Sequence, residues 1–220
     1  MCGFLVASPV RGALLEDVLS KVDTNYRQIK DMTYVLEQVE YGPSGEEEKE
    51  TRRRFTIYQK GAYLQVSRRA GEKGLIDMGP NPTPIDLVYD IRAVQAHSKM
   101  EFVGVDKAAT NGIAMIRILP NTGTALQAAN GMKILLAVDV SIGTPVRIQS
   151  FDSESSNTPV MTTEFSAPIE VAKGVWIPTK RTERGVFGFA ELGRTEVTLS
   201  DIKINTGLPG IRFSGEPQKQ

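Results

Sequence analysis

The feature that most constrains the fold is the stretch from Met132 to Ile204, where short alternating segments are separated by turn residues at near-regular intervals. Such spacing predicts one antiparallel sheet or an open barrel. An antiparallel sheet with one apolar face has to cover that face or offer it to an apolar partner. Because the stretch is poor in catalytic residue types, the pattern indicates a protein that holds a ligand and not one that catalyses a reaction.

The same alternation predicts about nine strands in the whole chain, and a sheet of that size curls strongly. Residues that favour turns separate the strands, as at Gly42–Gly45 and Ile142–Pro145. The predicted strands cover residues 33–41, 49–59, 62–68, 113–119, 132–140, 146–152, 160–171, 175–181 and 195–205.

Two amphipathic helices complete an α+β pattern. The first is predicted to begin after Ala13 and to end near Ile29. The second is predicted to begin at Thr83, which can cap it, with Pro84 in the first helical position and Asp86 in the first turn. An apolar helical stripe is typical of core packing, and it is also what a lid across a sheet requires.

Composition excludes several classes of site. The chain has 220 residues with 26 basic and 26 acidic side chains, so no overall charge attracts nucleic acid. Cys2 and His97 are the single cysteine and histidine, which leaves no internal disulfide and no Cys- or His-rich metal site. A phosphate loop and a nucleophile elbow are also absent from the sequence. We therefore predict a protein that is not an enzyme, with no cofactor, no metal and no nucleic-acid partner.

The N-terminal residues 1–13 are apolar and end in small residues, which indicates the remnant of a signal peptide and hence export. A short buried segment and a lipidated Cys2 are the alternatives. We predict a single domain over residues 14–213 and a polar tail over residues 214–220.

Five stretches occur in an order that is typical of one known family. They read LEDVLSKVDTNYRQIKDM (15–32), VDVSIGTPVRI (138–148), TTEFS (162–166), GVWIP (174–178) and DIKIN (201–205), and a terminal Phe213 follows. This order resembles the LolA-type periplasmic carriers of outer-membrane lipoproteins and covers most of the chain.

The resemblance implies an incomplete β-barrel, that is, a strongly curved antiparallel sheet whose concave face is covered by helices, with a hydrophobic cavity between them. It implies a monomeric periplasmic carrier or chaperone that binds lipid or lipoprotein acyl chains. Its partners would be an inner-membrane donor and an outer-membrane acceptor. The alternative is a regulatory module that senses lipid or lipoprotein and docks another periplasmic protein.

The apolar positions of the predicted strands supply candidates for the cavity wall. Burying an acyl chain there is favourable by about 0.8 kcal/mol per methylene group. The alternative is that these side chains fill the space themselves. The candidates are Leu36, Phe55, Ile57, Leu64, Val66, Ile116, Ile118, Ile134, Leu136 and Ile148.

Overall fold

The computed structural model describes residues 9–59, 62–67, 76–77, 91–106, 112–123, 127, 131–187 and 190–207. These residues form two helices and eleven strands. The helices are α1 (Pro9–Tyr26) and α2 (Ile91–Ala96). The strands are β1 (Asp31–Tyr41), β2 (Glu47–Gln59), β3 (Ala62–Ser67), β4 (Ile76–Asp77), β5 (Ser98–Asp106), β6 (Ile113–Pro120), β7 (Lys133–Asp139), β8 (Thr144–Phe151), β9 (Met161–Ala172), β10 (Val175–Phe187) and β11 (Ala190–Ile204).

Helix α1 begins earlier than the sequence predicted, at Pro9, a residue type whose fixed backbone angle and missing N–H suit the first helical position. Its apolar stripe is buried from Val18 onward, with Leu19 and Val22 fully inaccessible, but Leu14 at its start is 41% exposed. The helix ends at Tyr26, before Ile29, which is nevertheless buried. Residues 1–8 of the predicted signal-peptide remnant lie outside the described residues, as do the predicted cap and first turn of the second helix.

Strand β5 is the main element that the sequence reading missed. No strand was predicted between the second helix and residue 113, but Ser98–Asp106 pairs antiparallel with β6. Met100 stands opposite Ile118, and Phe102 stands opposite Ile116. Charged residues at alternate positions are compatible with a strand that has one solvated face, so the polarity of this segment concealed its period.

The chain divides into two compact units. The first, the helical unit, comprises Met1–Tyr26 and Thr83–Thr162. It contains both helices and strands β5 to β8, which pair antiparallel in sequence order. Short connections between consecutive antiparallel strands explain why this order follows the sequence.

The second unit, the strand unit, comprises Arg27–Pro82 and Thr163–Gln220. All its described elements are strands, in the order β4-β3-β2-β1-β11-β10-β9. Strand β1 therefore lies between β2, its hairpin partner, and β11 from the end of the chain. The Asn205 side chain, just after β11, joins it to the segment before β1, because its amide accepts a bond from the Lys30 N–H and donates one to the Gln28 carbonyl, both at 2.8 Å.

Candidate functional site

Five of the ten predicted wall residues lie together on one face of the helical unit's sheet. Leu136 on β7 stands opposite Ile116 on β6 and Ile148 on β8, and Ile118 stands opposite Ile134 in the next row. Four of them are 0% exposed and Ile148 is 1% exposed. Side chains without accessible surface leave no water-sized space beside them. In this state the five residues pack as a core.

Helix α1 is fixed to the helical unit's sheet near its C-terminal end. Gly143, in the turn after β7, has a φ of +69°, and a Cβ there would lie 2.6 Å from the Lys21 carbonyl oxygen. The Asn25 side-chain amide also donates a long hydrogen bond, 3.5 Å, to the Gly143 carbonyl. Only glycine permits both this backbone conformation and this close approach.

The two helices are joined by an ion pair. Arg92 of α2 holds the carboxylate of Glu16 with both terminal nitrogens, at 2.6 and 3.1 Å. Hydrogen bonding from Arg92, assisted by its charge, keeps the pKa of Glu16 below its usual value, although desolvation opposes this. A further hydrogen bond of 2.9 Å, from Arg92 to the Gln95 side-chain oxygen, orients the guanidinium.

The strand unit carries a second apolar face. Met32, Tyr34 and Leu36 alternate along β1 and are buried. The same face continues onto β11, because Leu36 stands opposite Leu199. Val197, two residues before Leu199 and therefore on the same face, is 2% exposed. Ile177 of β10 lies four residues before Arg181, which stands opposite Val197, so it belongs to this face too.

The remaining four predicted wall residues share the other face of the strand unit's sheet. Phe55 stands opposite Val66, and Ile57 stands opposite Leu64. Their partners on β1 are Val35 and Thr33, which alternate with the positions of Leu36 and Tyr34. The register thus groups these four residues with one another and not with Leu36. The structure describes the backbone of their strands but not these four side chains.

Polar residues continue the apolar face of the strand unit beyond Leu36. The next row contains Gln38, Val197 and Arg181, and the row after it contains Glu40, Thr195 and Glu183. The Arg181 Nε lies 2.8 Å from the Glu183 Oε1, but its N–H is not directed at that oxygen and has no hydrogen-bond acceptor in the described part of the chain. The face therefore changes from apolar to half-buried polar along the strands.

The sequence pattern did not reveal Tyr34, Ile177 and Val197 as members of an apolar face. The alternation in Val175–Arg181 was the available signal for Ile177. The pairing of β1 with β11 joins residues more than 150 positions apart, such as Leu36 and Leu199. No local pattern specifies such a pairing, so the composition of the face could not be predicted.

The described ranges contain no group of three or more His, Cys, Asp or Glu side chains placed to hold a metal ion. Within the same ranges, no helix is long and apolar enough to cross a membrane. Burial raises the pKa of the Tyr26 hydroxyl, so this side chain stays neutral inside the helical unit.

Comparison with known families gave no matching family model, and no curated protein matches the sequence. Solved structures do match. A domain named for outer membrane lipoprotein sorting from Vibrio parahaemolyticus has a TM-score of 0.62 at 12% identity, over 90% of this chain and 97% of its own. A DUF1329 family protein from Desulfovibrio piger has a TM-score of 0.62 at 14% identity, over 87% and 92% of the two chains.

A LolA superfamily protein from Nitrosomonas europaea aligns with a TM-score of 0.55 at 12% identity, over 88% of this chain and 94% of its own. At such identities the likeness concerns the fold. It confirms the coarser part of the predicted fold, an antiparallel sheet with helices. The strong curvature, the incomplete barrel and the helix-covered concave face stay predictions. The chain has the fold of the LolA superfamily and of the outer membrane lipoprotein-sorting domains.

Proposed function

We propose that this chain is a single-domain periplasmic carrier or chaperone that binds the acyl chains of lipid or lipoprotein during outer-membrane lipoprotein sorting. The observation that carries the proposal is the apolar face of the strand unit, formed by Met32, Tyr34, Leu36, Ile177 and Val197. This unit has no helix among its described elements, and the face ends in a polar row. The fold supports the proposal, because structures of this fold include domains named for lipoprotein sorting.

The acyl chain lies along the rows of the strand unit's face in this proposal. Each buried methylene contributes about 0.8 kcal/mol, so a chain of ordinary length is retained without polar contacts. Tyr34 and Leu36 keep 6% exposure each, whereas Met32 and Ile177 of the same face are as inaccessible as the core residues of the helical unit. Displacement of the residues that bury this face would admit the ligand without breaking the core under α1.

The five buried isoleucine and leucine residues of the helical unit's sheet can contact a ligand only if the unit opens. They reach a ligand only after the residues that cover them withdraw, because no space adjoins them in this state. The Glu16–Arg92 pair joins α1 and α2, and the contact at Gly143 fixes one end of α1. We place the chain between an inner-membrane donor and an outer-membrane acceptor, and opening at either partner would release these restraints.

The test is native mass spectrometry of the full chain purified from a membrane-containing host, followed by organic extraction of bound lipid. We expect a stoichiometric lipid or acylated adduct. Leu36→Trp should reduce the adduct at least tenfold, because the larger side chain occupies the space of the acyl chain. Ile169→Trp is the matched control, since Ile169 is 45% exposed and its substitution leaves the buried face unchanged.

A different result would favour the alternative. If wild-type protein carries no lipid and takes up no fluorescent fatty acid, the carrier proposal is wrong. A regulatory module that docks another periplasmic protein would then be the better interpretation. Loss of the adduct in both tryptophan variants would mean that the lipid binds outside the proposed face.

A further inference from the structure

The row of residues that borders the apolar face of the strand unit contains several cationic positions. Arg181 of β10 stands opposite Val197, which stands opposite Gln38 of β1. Gln38 in turn stands opposite Arg52 of β2, and Leu36 stands opposite Arg54. Directly opposed residues share a face of an antiparallel sheet. Arg52, Arg54 and Arg181 therefore belong to the same face as Leu36.

We propose that this border binds the anionic head group, a carboxylate or a phosphate, of an amphiphile whose acyl chain lies on the apolar face. The inference rests on the proposed carrier function and names its substrate class. Arg52 and Arg181 are separated by three strand spacings in the same row, about 14 Å at about 4.8 Å per strand. A head group beside the half-buried Gln38 is within the span of these two positions.

Of the three arginines on this face, Arg181 is the one whose side chain the structure describes. Its side chain is 18% exposed, and its Nε–H is buried with no hydrogen-bond acceptor in the described ranges. An unsatisfied buried donor is unfavourable, and a guanidinium prefers planar oxyanions because it offers parallel N–H donors. A carboxylate or phosphate at this position would supply the acceptor that the Nε–H lacks, in competition with the Glu183 carboxylate 2.8 Å away. An apolar or hydroxyl head group would do so less well.

The carboxylates of the face restrict where an anion can bind. Glu183 lies beside Arg181, and Glu40 is held by a 2.7 Å hydrogen bond from the Gln38 amide. Both carboxylates belong to the row beyond Arg181, on the side away from Leu36. An anionic head group is therefore attracted to the arginine row and repelled by the next one. This sequence of rows stops the amphiphile at the end of the apolar face.

The arginine run itself supports the assignment. Residues 52, 53 and 54 alternate between the faces of β2, and the register gives Arg53 to the face that carries Glu37. Two of three consecutive arginines thus fall on the face of Leu36. Solvated charge pairing with Glu46–Glu48 at the same hairpin is the alternative explanation of this run. The register offers a second explanation for Arg52 and Arg54, because it places both on the face where the head group is proposed to bind.

The test measures binding of a fluorescent long-chain fatty acid and of the alcohol with the same chain to the full-length protein. The wild type should prefer the acid by about tenfold or more, the size expected for a hydrogen bond to a charged group. Arg181→Met should abolish this preference while binding of the alcohol stays within about twofold. Arg181→Lys should keep part of the preference, since it retains the charge but not the planar donors.

Arg184→Met is the matched control, because Arg184 lies on the other face of β10, half exposed and paired with Glu164 at 3.0 Å. It should leave the preference unchanged. Competition by phosphatidylglycerol, but not by millimolar inorganic phosphate, would assign the anion to a lipid and not to free phosphate. Displacement by inorganic phosphate in the absence of any lipid effect would overturn the head-group assignment.

The two proposals fail in different ways. Equal affinity of the wild type for acid and alcohol, or a preference that survives Arg181→Met, overturns the head-group inference and leaves the carrier proposal intact. Absence of binding for both amphiphiles overturns the carrier proposal and the inference with it. Circular dichroism on each variant separates a lost site from a lost fold.

Discussion

The two apolar sheet faces of this chain are built from the same alternation but differ in what surrounds them. The face of the helical unit belongs with two helices, and its central residues, such as Ile116 and Leu136, are inaccessible. The face of the strand unit has no helix of its own in the described ranges and ends in charged residues. Leu36 keeps 6% exposure there, although Met32 and Ile177 of the same face are 1% and 0% exposed. Alternation alone thus encodes a core in one place and a candidate binding surface in another.

The strongest test of this comparison is a pair of truncations, one on each face. Leu136→Ala should lower the free energy of unfolding by about 3 kcal/mol, because it leaves a cavity among inaccessible neighbours. It should leave lipid affinity within about twofold. Leu36→Ala should weaken lipid binding more than Leu136→Ala does, with the smaller loss of stability. Chemical denaturation and fatty-acid titration of both variants provide the measurements.

The opposite pattern would break the comparison. If Leu136→Ala lowers affinity as much as Leu36→Ala does, the core of the helical unit opens during binding and belongs to the site. Equal loss of stability in both variants, with no loss of affinity in either, would make both faces ordinary cores.

The parts of the helical unit that could be predicted are those determined by residues close together in the sequence. Strands β6, β7 and β8 were predicted because each has a clear period. The turn predicted at Ile142–Pro145 lies slightly earlier, at residues 140–143, where it joins β7 to β8. Ile134 and Leu136 were assigned to a shared face because residues two apart on a strand point the same way. Such statements need no knowledge of distant partners.

The parts that could not be predicted depend on pairing across the sheet. Leu36 and Phe55 both lie at apolar positions of their strands, but the register puts Val35 opposite Phe55. A shift by one residue exchanges the two faces of a strand, so the grouping of candidates is decided by the register and not by the pattern. Arg181 was missed for the same reason, because its place beside Leu36 follows from the β1–β11 pairing.

A smaller effect tests how α1 is held on the helical unit. Gly143→Ala should cost about 2–3 kcal/mol of stability, since it adds strain at φ +69° and a contact of 2.6 Å to the Lys21 carbonyl oxygen. Gly174→Ala is the control, because Gly174 has a φ of +74° but open space at the Cβ position. It should cost about 1 kcal/mol. The difference measured by denaturation isolates the contact with α1, and equal costs would show that the helix accommodates the methyl group.

The smallest expected effect concerns the ion pair that joins the helices. Glu16→Gln should destabilise by less than about 1 kcal/mol at neutral pH, because both partners are substantially exposed. The folded protein lowers the pKa of Glu16, so the contribution of the charge is present above the ordinary value of 4.5 and is lost as the pH falls through the lowered pKa. The difference in stability between variant and wild type should therefore shrink on acidification.

The strand unit offers a matched pair for this measurement. Arg184 and Glu164 are 3.0 Å apart and similarly exposed, but they join neighbouring strands and no helices. Glu164→Gln should leave amide exchange of α1 and α2 unchanged, whereas Glu16→Gln should speed it, because only the second substitution frees one helix from the other. Equal exchange in both variants would mean that packing, and not the ion pair, holds α2. The withdrawal of the helices from the core would then depend on apolar contacts alone, and acidification would not promote it.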